Sequence, residues 1–242
     1  MKRLLLALQF LTIIPVRVKR VTNKDLPGSA AYFPVIGLLI GCVLSGAIIF
    51  GKYINFPDIG LSAIIAVLLA ILTGGIHLDG LADLFDAIGS RKNREEMLAI
   101  MREPRIGTMG AIAIAGSLLL KTTLFLSLAA PLQIEPVILM CVISRWAMVF
   151  LMYRFHYARE EGKAKAFLEG MNTRIFAIAT AFTLILSLAI GQIQGLAALG
   201  ICALVMYFGG KYLSKRLGGI TGDVLGAANE ITEILCLVII CL

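Results

Sequence analysis

The chain has 242 residues, 59% of them hydrophobic and 15% charged, with a mean hydropathy of +0.93 and a formal net charge of +7. Soluble domains carry roughly a quarter charged residues, so 22 basic and 15 acidic side chains cannot cover a water-facing surface of this size. A soluble enzyme, a disordered chain and a disulfide scaffold are excluded; long Gly-rich apolar runs predict an all-α, polytopic membrane bundle in place of a barrel of short alternating strands.

The opening MKRLLLALQFLTIIPVRVKR has the basic start and apolar stretch of a secretory signal. No small-x-small cleavage site follows, and Arg17, Lys19 and Arg20 close the far end. An amphipathic helix lying at the cytoplasmic interface is predicted, within an N-terminal segment covering 1–31. Apolar runs near 32–53, 59–77, 108–130, 136–153, 175–192, 195–213 and 221–242 predict about seven transmembrane helices. The link QIQG at 192–195 predicts a tight turn between antiparallel neighbours.

Nineteen of the 22 basic residues fall in segments on one side of these runs, which puts the N-terminus in the cytoplasm and the C-terminus outside. The five cysteines lie singly in apolar stretches and are read as small hydrophobes. Lys121 and Arg145 fall inside spans, where each costs roughly 2.5 to 3.5 kcal/mol without a partner. Glu230 and Glu233 of the last run are the nearest counter-charges, and a pairing with Arg145 is predicted.

The whole chain, 1–242, is read as one membrane-embedded catalytic domain, with residues 78–107 forming a cytoplasmic acidic loop or helix. Within GGIHLDGLADLFDAIGSRKNREEM at 74–97, Asp79, Asp83 and Asp86 are spaced i, i+4, i+7. On a helix this spacing puts them within roughly 60° of arc. Three carboxylates so placed repel unless a cation neutralises them, and hard oxygen donors suit Mg²⁺ or Mn²⁺. The alternative is the solvated face of a loop helix; Gly74, Gly75 and Gly80, which admit close backbone or ligand approach, favour the functional reading. His77 lies roughly 160° around such a helix and is not expected among the ligands.

A second constellation, GGITGDVLGAANEITE at 218–233, carries Asp223 and Glu230 on one face roughly 10 Å apart. Asp223 is placed for a metal or substrate contact. Glu230 and Glu233 have the structural alternative of pairing with Lys121 and Arg145. A third group is basic: Arg102 and Arg105 before the third run, then Arg159, Lys163 and Lys165 after the fourth. Attraction to anionic lipid explains many such residues, and no nucleic-acid partner is expected. Around a carboxylate-metal centre the same residues form the cationic clamps that phosphoryl transfer requires. No G-K-[ST] phosphate loop is present.

Taken together, GGIHLDGLADLFDAIGSR, MREPRIGTMGAIAI, SRWAMVFL, YAREEGKAKAF and GGITGDVLGAANEITE resemble the cobalamin synthase family, over essentially the whole chain from LQFLTIIPV and YFPVIGLLIG onward. Glu103-Pro104 departs from the Asp-Ser type of pair expected there, so Glu103 is given no role. The resemblance implies a multi-pass enzyme of the bacterial or archaeal inner membrane whose active site faces the cytoplasm. It would join adenosylcobinamide-GDP to α-ribazole or its 5′-phosphate, releasing GMP, with Mg²⁺ required and Mn²⁺ as the alternative.

By the same resemblance Asp79, Asp83, Asp86, Asp223 and Glu230 would hold metal, Asp86 would take the hydroxyl proton, and Arg105, Arg145, Arg159 and Lys163 would bind substrate or balance charge. Membrane lipids are the other expected partners, and a homo-oligomer is left open. The acidic helix is also similar to that of the CDP-alcohol phosphatidyltransferases, whose fuller pattern is not met after Gly80. A secondary transporter using Lys121, Arg145, Glu230 and Glu233 as an ion path is the reading from another class.

Overall fold

The computed structural model describes residues 1–22, 24–129, 134–162 and 164–241. The helices in chain order are α1 (Lys2–Leu11), α2 (Asp25–Ser29), α3 (Phe33–Tyr53), α4 (Asp58–Leu72), α5 (Ile76–Gly89), α6 (Arg94–Ile100), α7 (Thr108–Ala129), α8 (Glu135–Arg154), α9 (Lys165–Glu169), α10 (Thr173–Leu217) and α11 (Gly222–Cys241), with a 3₁₀ turn at Ala30–Tyr32. Among the described residues no strand forms; a single bridge joins Tyr157 to Ile220. The all-α expectation holds.

Among the described residues five elements are long and apolar enough to cross a membrane: Asp25–Tyr53, α7, α8, α10 and α11. The α4–α5 pair adds a sixth, broken by a 90° bend. Two of the seven apolar runs read from the sequence share α10. A straight helix of its 45 residues would be about 67 Å long, against the roughly 30 Å of a hydrocarbon core. The backbone instead leaves helical geometry at Gln192 (φ 50°, ψ −133°). A Cβ added at Gly195 would meet the carbonyl oxygen of Ser187, so the two limbs double back on each other. The turn expected at 192–195 is this reversal.

The core is organised around α8, in which every residue from Leu139 to Val149 is buried, the pattern of a helix enclosed on all sides. Small residues let α3 lie against it: a Cβ at Gly41 would stand 2.8 Å from the Ile138 Cα, and one at Gly37 would meet the Cys141 carbonyl. On the outside, Leu119, Ile185, Leu188, Leu204 and Phe208 are exposed, a surface suited to acyl chains. All five cysteines are free.

The first helix is amphipathic, as expected. Leu6, Ala7 and Leu11 are buried, and the Phe10 ring packs 5.8 Å from Phe33 and 4.6 Å from Phe167. An ion pair of 2.7 Å between Lys2 and Asp25 ties its start to α2. These contacts bring Gln9 and Phe10 to the end of the bundle that carries the acidic residues, which matters for the site.

Candidate active site

Glycines build the site. Gly74 and Gly75 adopt positive φ of 63° and 70°, a conformation that costs a side chain but not glycine, and the chain bends there from α4 into α5. Helices α5 and α11 then cross backbone to backbone: a Cβ on Gly80 would stand 2.8 Å from the Asp223 carbonyl and 3.2 Å from the Gly226 Cα. Only this approach sets Asp79 and Asp83, one turn apart, beside Asp223 at the start of α11.

The three carboxylates line a cavity of about 310 Å³ together with Arg102, Glu103 and Arg105 from the α6–α7 loop. Among the described residues neither Asp79 nor Asp83 takes part in a side-chain hydrogen bond or ion pair. Asp223 does: Arg159 Nη2 donates to it at 2.8 Å and Thr221 Oγ1 at 3.2 Å.

Arg159 is delivered by the 155–162 loop, which is clamped to the α10–α11 turn. The Ala158 amide donates to the Ile220 carbonyl, and the Ile220 amide to that of His156, each at 2.9 Å. Gly218 and Gly219, at φ 71° and 136°, let the turn close, and a Cβ on Gly219 would be 2.8 Å from the His156 carbonyl. Arg94 Nε caps α10 by donating to the Leu217 carbonyl at 2.8 Å. In the same loop Tyr157 is half-buried, and burial raises its phenol above the ordinary value against the pull of Arg159.

A second cavity, of about 470 Å³, shares Asp79 and Asp223 with the first. Its walls come from α1 (Gln9, Phe10), α5 (Ile76, His77), α8 (Met148), the 155–162 loop (Tyr157, Arg159) and α11 (Leu225). Two chambers therefore meet at a carboxylate pair.

The structure separates residues that the sequence placed together. The Asp86 carboxylate lies against the start of α7, where one oxygen accepts from the Gly107 amide at 2.6 Å and the other from Gly110 at 2.8 Å. It satisfies donors at a helix N-terminus and does not line either cavity with Asp79. An asparagine keeps one of its two acceptors in place, so Asp86→Asn is expected to retain activity within about tenfold of wild type, since a capping bond contributes about 1 kcal/mol. A proton acceptor replaced by an amide would be silenced, and complete loss of turnover in that variant would restore Asp86 to the chemistry.

Glu230 is likewise not in the cavity. It accepts from Ser117 Oγ at 2.6 Å and pairs with Lys121 at 2.8 Å. Lys121 and Arg145 each reach Glu233 at 2.5 Å, and Asn229 Nδ2 donates to it at 2.9 Å. The predicted Arg145 pairing is made, with Glu233, and all four charged groups are buried. That burial takes Arg145 out of reach of a soluble substrate and Glu230 away from the metal position the sequence suggested. Arg105 and Arg159 line the two cavities. Lys163 lies outside the described residues.

Sequence reasoning gave no weight to Gln9, Phe10, Met148 or Tyr157. They come from separate elements with no spacing pattern, so only the packing assembles them. Glu103, set aside for departing from the expected pair, lines the first cavity.

Among the described residues no three His, Cys, Asp or Glu side chains converge closely enough to enclose a metal ion by themselves. Three hard oxygen donors on one open cavity are the arrangement for Mg²⁺, which takes one or two carboxylates and completes its shell with water and substrate phosphates. The donor set fits that mode of binding.

Comparison with known proteins follows the same lines. Residues 3–241 match the family described as cobalamin-5-phosphate synthase. A Roseiflexus protein (strain RS-1) named adenosylcobinamide-GDP ribazoletransferase is 40% identical over 232 residues, 96% of this chain and 86% of the relative. Proteins of the same name from Alkaliphilus oremlandii and Geotalea daltonii are 39% and 32% identical, covering 97% and 96% of the chain and 95% and 93% of the relatives. No solved structure matches the chain.

Proposed function

The chain belongs to the cobalamin-5-phosphate synthase family, and from that premise we propose that it transfers the adenosylcobinamide phosphate of adenosylcobinamide-GDP to α-ribazole or its 5′-phosphate. GMP leaves, and adenosylcobalamin or its 5′-phosphate is formed, late in cobalamin biosynthesis. The observation that carries the reading is the meeting of two cavities at Asp79 and Asp223, with arginines on both sides. A reaction that joins two bulky substrates at a diphosphate needs a place where both reach one anionic centre.

Asp79, Asp83 and Asp223 are the residues that would hold Mg²⁺, with Mn²⁺ as the alternative. A bound divalent ion offsets phosphate charge and polarises the phosphorus. The rest falls to the chain. Arg102 and Arg105 offset the charge of the GMP phosphate as the bond to it breaks. Asp83, half-buried and without a hydrogen bond among the described residues, accepts the proton of the attacking ribazole hydroxyl as the new oxygen–phosphorus bond forms. Arg159, oriented by its bond to Asp223, lines the second cavity and would offset the charge of the phosphate being transferred.

The carboxylates share an end of the bundle with Arg102, Arg105 and Arg159, and the positive-inside bias supports a site that opens to the cytoplasm from the inner membrane. The lipid-facing helices make membrane lipid the surrounding partner. The family assignment favours this chemistry over phospholipid synthesis or solute transport.

Purified protein supplied with adenosylcobinamide-GDP, α-ribazole and Mg²⁺ is expected to release GMP together with the corrinoid product. Chelation with EDTA should abolish release and added Mg²⁺ restore it. GMP formation that survives chelation would remove the metal from the mechanism, and no GMP in any condition would remove the transferase.

A further inference from the structure

A cavity of about 650 Å³ lies apart from the reaction centre and shares no lining residue with the two chambers that meet at Asp79 and Asp223. Three cations converge on it from three segments: Arg3 of α1, Lys24 just before α2, and Arg174 in the first turn of α10. Among the described residues no acid lines it. Asp25 stands 3.8 Å from Arg3, but Lys2 and Thr22 already engage it, each at 2.7 Å. Like charges gathered in this way repel, and a cation in the first turn of a helix, as Arg174 is, also opposes the helix dipole. An anion relieves both. Gly28 makes the room: a Cβ there would stand 2.7 Å from the Arg3 Cζ.

We propose that this cavity binds the phosphate of an anionic phospholipid of the surrounding leaflet, with Arg3, Lys24 and Arg174 on the headgroup and the acyl chains running along α10. The walls decide between a lipid and a free anion. Ile175 is buried in the cavity wall and Ile178 is 49% exposed at its edge. Ile185, also exposed, continues the same face of α10 about 10 Å further on. Inorganic phosphate has no use for that apolar track; a phospholipid uses the cations and the track together. A zwitterionic headgroup brings its own ammonium into the cation cluster and forfeits most of the attraction. The position agrees as well, because the positive-inside bias places these segments at the cytoplasmic surface, the side on which basic pockets between helices hold anionic headgroups. Helix α1 runs from Arg3 in this cavity to Gln9 and Phe10 in the chamber at Asp79, so a bound lipid fastens one end of a helix whose other end walls the site. Lipid binding here is independent of the chemistry at Asp79, and neither substrate is needed to test it.

The test uses the full-length protein in neutral detergent micelles, titrated separately with phosphatidylglycerol, with phosphatidylcholine of the same acyl chains, and with inorganic phosphate. The unfolding midpoint and the lipid retained in native mass spectrometry are read. Phosphatidylglycerol is expected to raise the midpoint and to stay bound, and the other two to do neither. Lys24→Gln combined with Arg174→Gln should weaken half-saturation by phosphatidylglycerol about twentyfold, two cations at about fivefold each. The charge-keeping pair Lys24→Arg and Arg174→Lys should stay within about threefold, and Lys211→Gln with Lys215→Gln, which removes the same charge from exposed positions outside the cavity, within about twofold. The substituted side chains are exposed, so folding is expected to survive in all three variants. An equal response to phosphatidylcholine or to inorganic phosphate overturns the lipid site. So does a wild-type response in Lys24→Gln with Arg174→Gln, or an equal loss in Lys211→Gln with Lys215→Gln, which would spread the attraction over the whole basic surface.

Discussion

Asp79→Ala and Asp83→Ala are each expected to lower GMP release by on the order of 10³-fold or more, the scale on which removal of a preorganised electrostatic contact acts on a transition state. Membrane insertion and thermal unfolding should be nearly unchanged. The two carboxylates make no hydrogen bond or ion pair with the rest of the described protein, so their removal breaks nothing that holds the fold. Removal also relieves repulsion among three acids on one cavity, and an equal or slightly raised melting temperature is the matching expectation. Asp223→Ala differs, because it also releases Arg159; activity should fall as far, and the 155–162 loop should become more accessible to protease. Turnover within tenfold of wild type in both Asp79→Ala and Asp83→Ala would dismiss the cavity as the reaction site.

Lys121→Met is expected to be the most destabilising single change. It leaves Glu230 without its cation and Glu233 with Arg145 alone, in an interior where all four groups are buried. Breaking one member of a buried ion network costs about 3 to 5 kcal/mol, comparable with the roughly 2.5 to 3.5 kcal/mol for an unpaired charge at a bilayer centre. Loss of protein from the membrane and a lower unfolding midpoint in detergent are the readouts. Lys121→Met combined with Glu230→Met removes one charge of each sign and should recover most of the loss, because two matched deletions strand no ion. A double variant as unstable as the single would show that the network does not act as a balanced set. Since α11 carries both Glu233 and Asp223, the network also holds the rotation of the helix that presents Asp223, and activity should follow stability across this series.

Two residues show why the sequence read correctly in part. A spacing of i, i+4, i+7 reports azimuth around a helix, and Asp79, Asp83 and Asp86 do share a side of α5. It does not report what faces them along the axis. Seven residues advance about 10 Å, so Asp79 reaches α11 while Asp86 reaches the start of α7 and is consumed by two backbone amides. Glu230 repeats the lesson on α11: two turns from Asp223 on the same face, it lies deep enough to meet Lys121 and Ser117. The pairing of Arg145 was legible because an isolated ion in lipid has few possible counter-charges, and this chain offers few.

Composition and periodicity by themselves determined that this protein is an all-helical membrane bundle, that its chain reverses near Gln192, and that its acids are gathered in two segments with basic residues around them. These are properties of a solvent and of single helices, and both are written locally. Which acids stand together was decided only by the tertiary structure. The crossing of α5 over α11 at Gly80 and Gly226, the bend at Gly74 and Gly75, and the docking of α1 against Phe33 and Phe167 are contacts between distant segments. Their depth and angle depend on side-chain volumes from several helices at once, and no spacing within one helix encodes them.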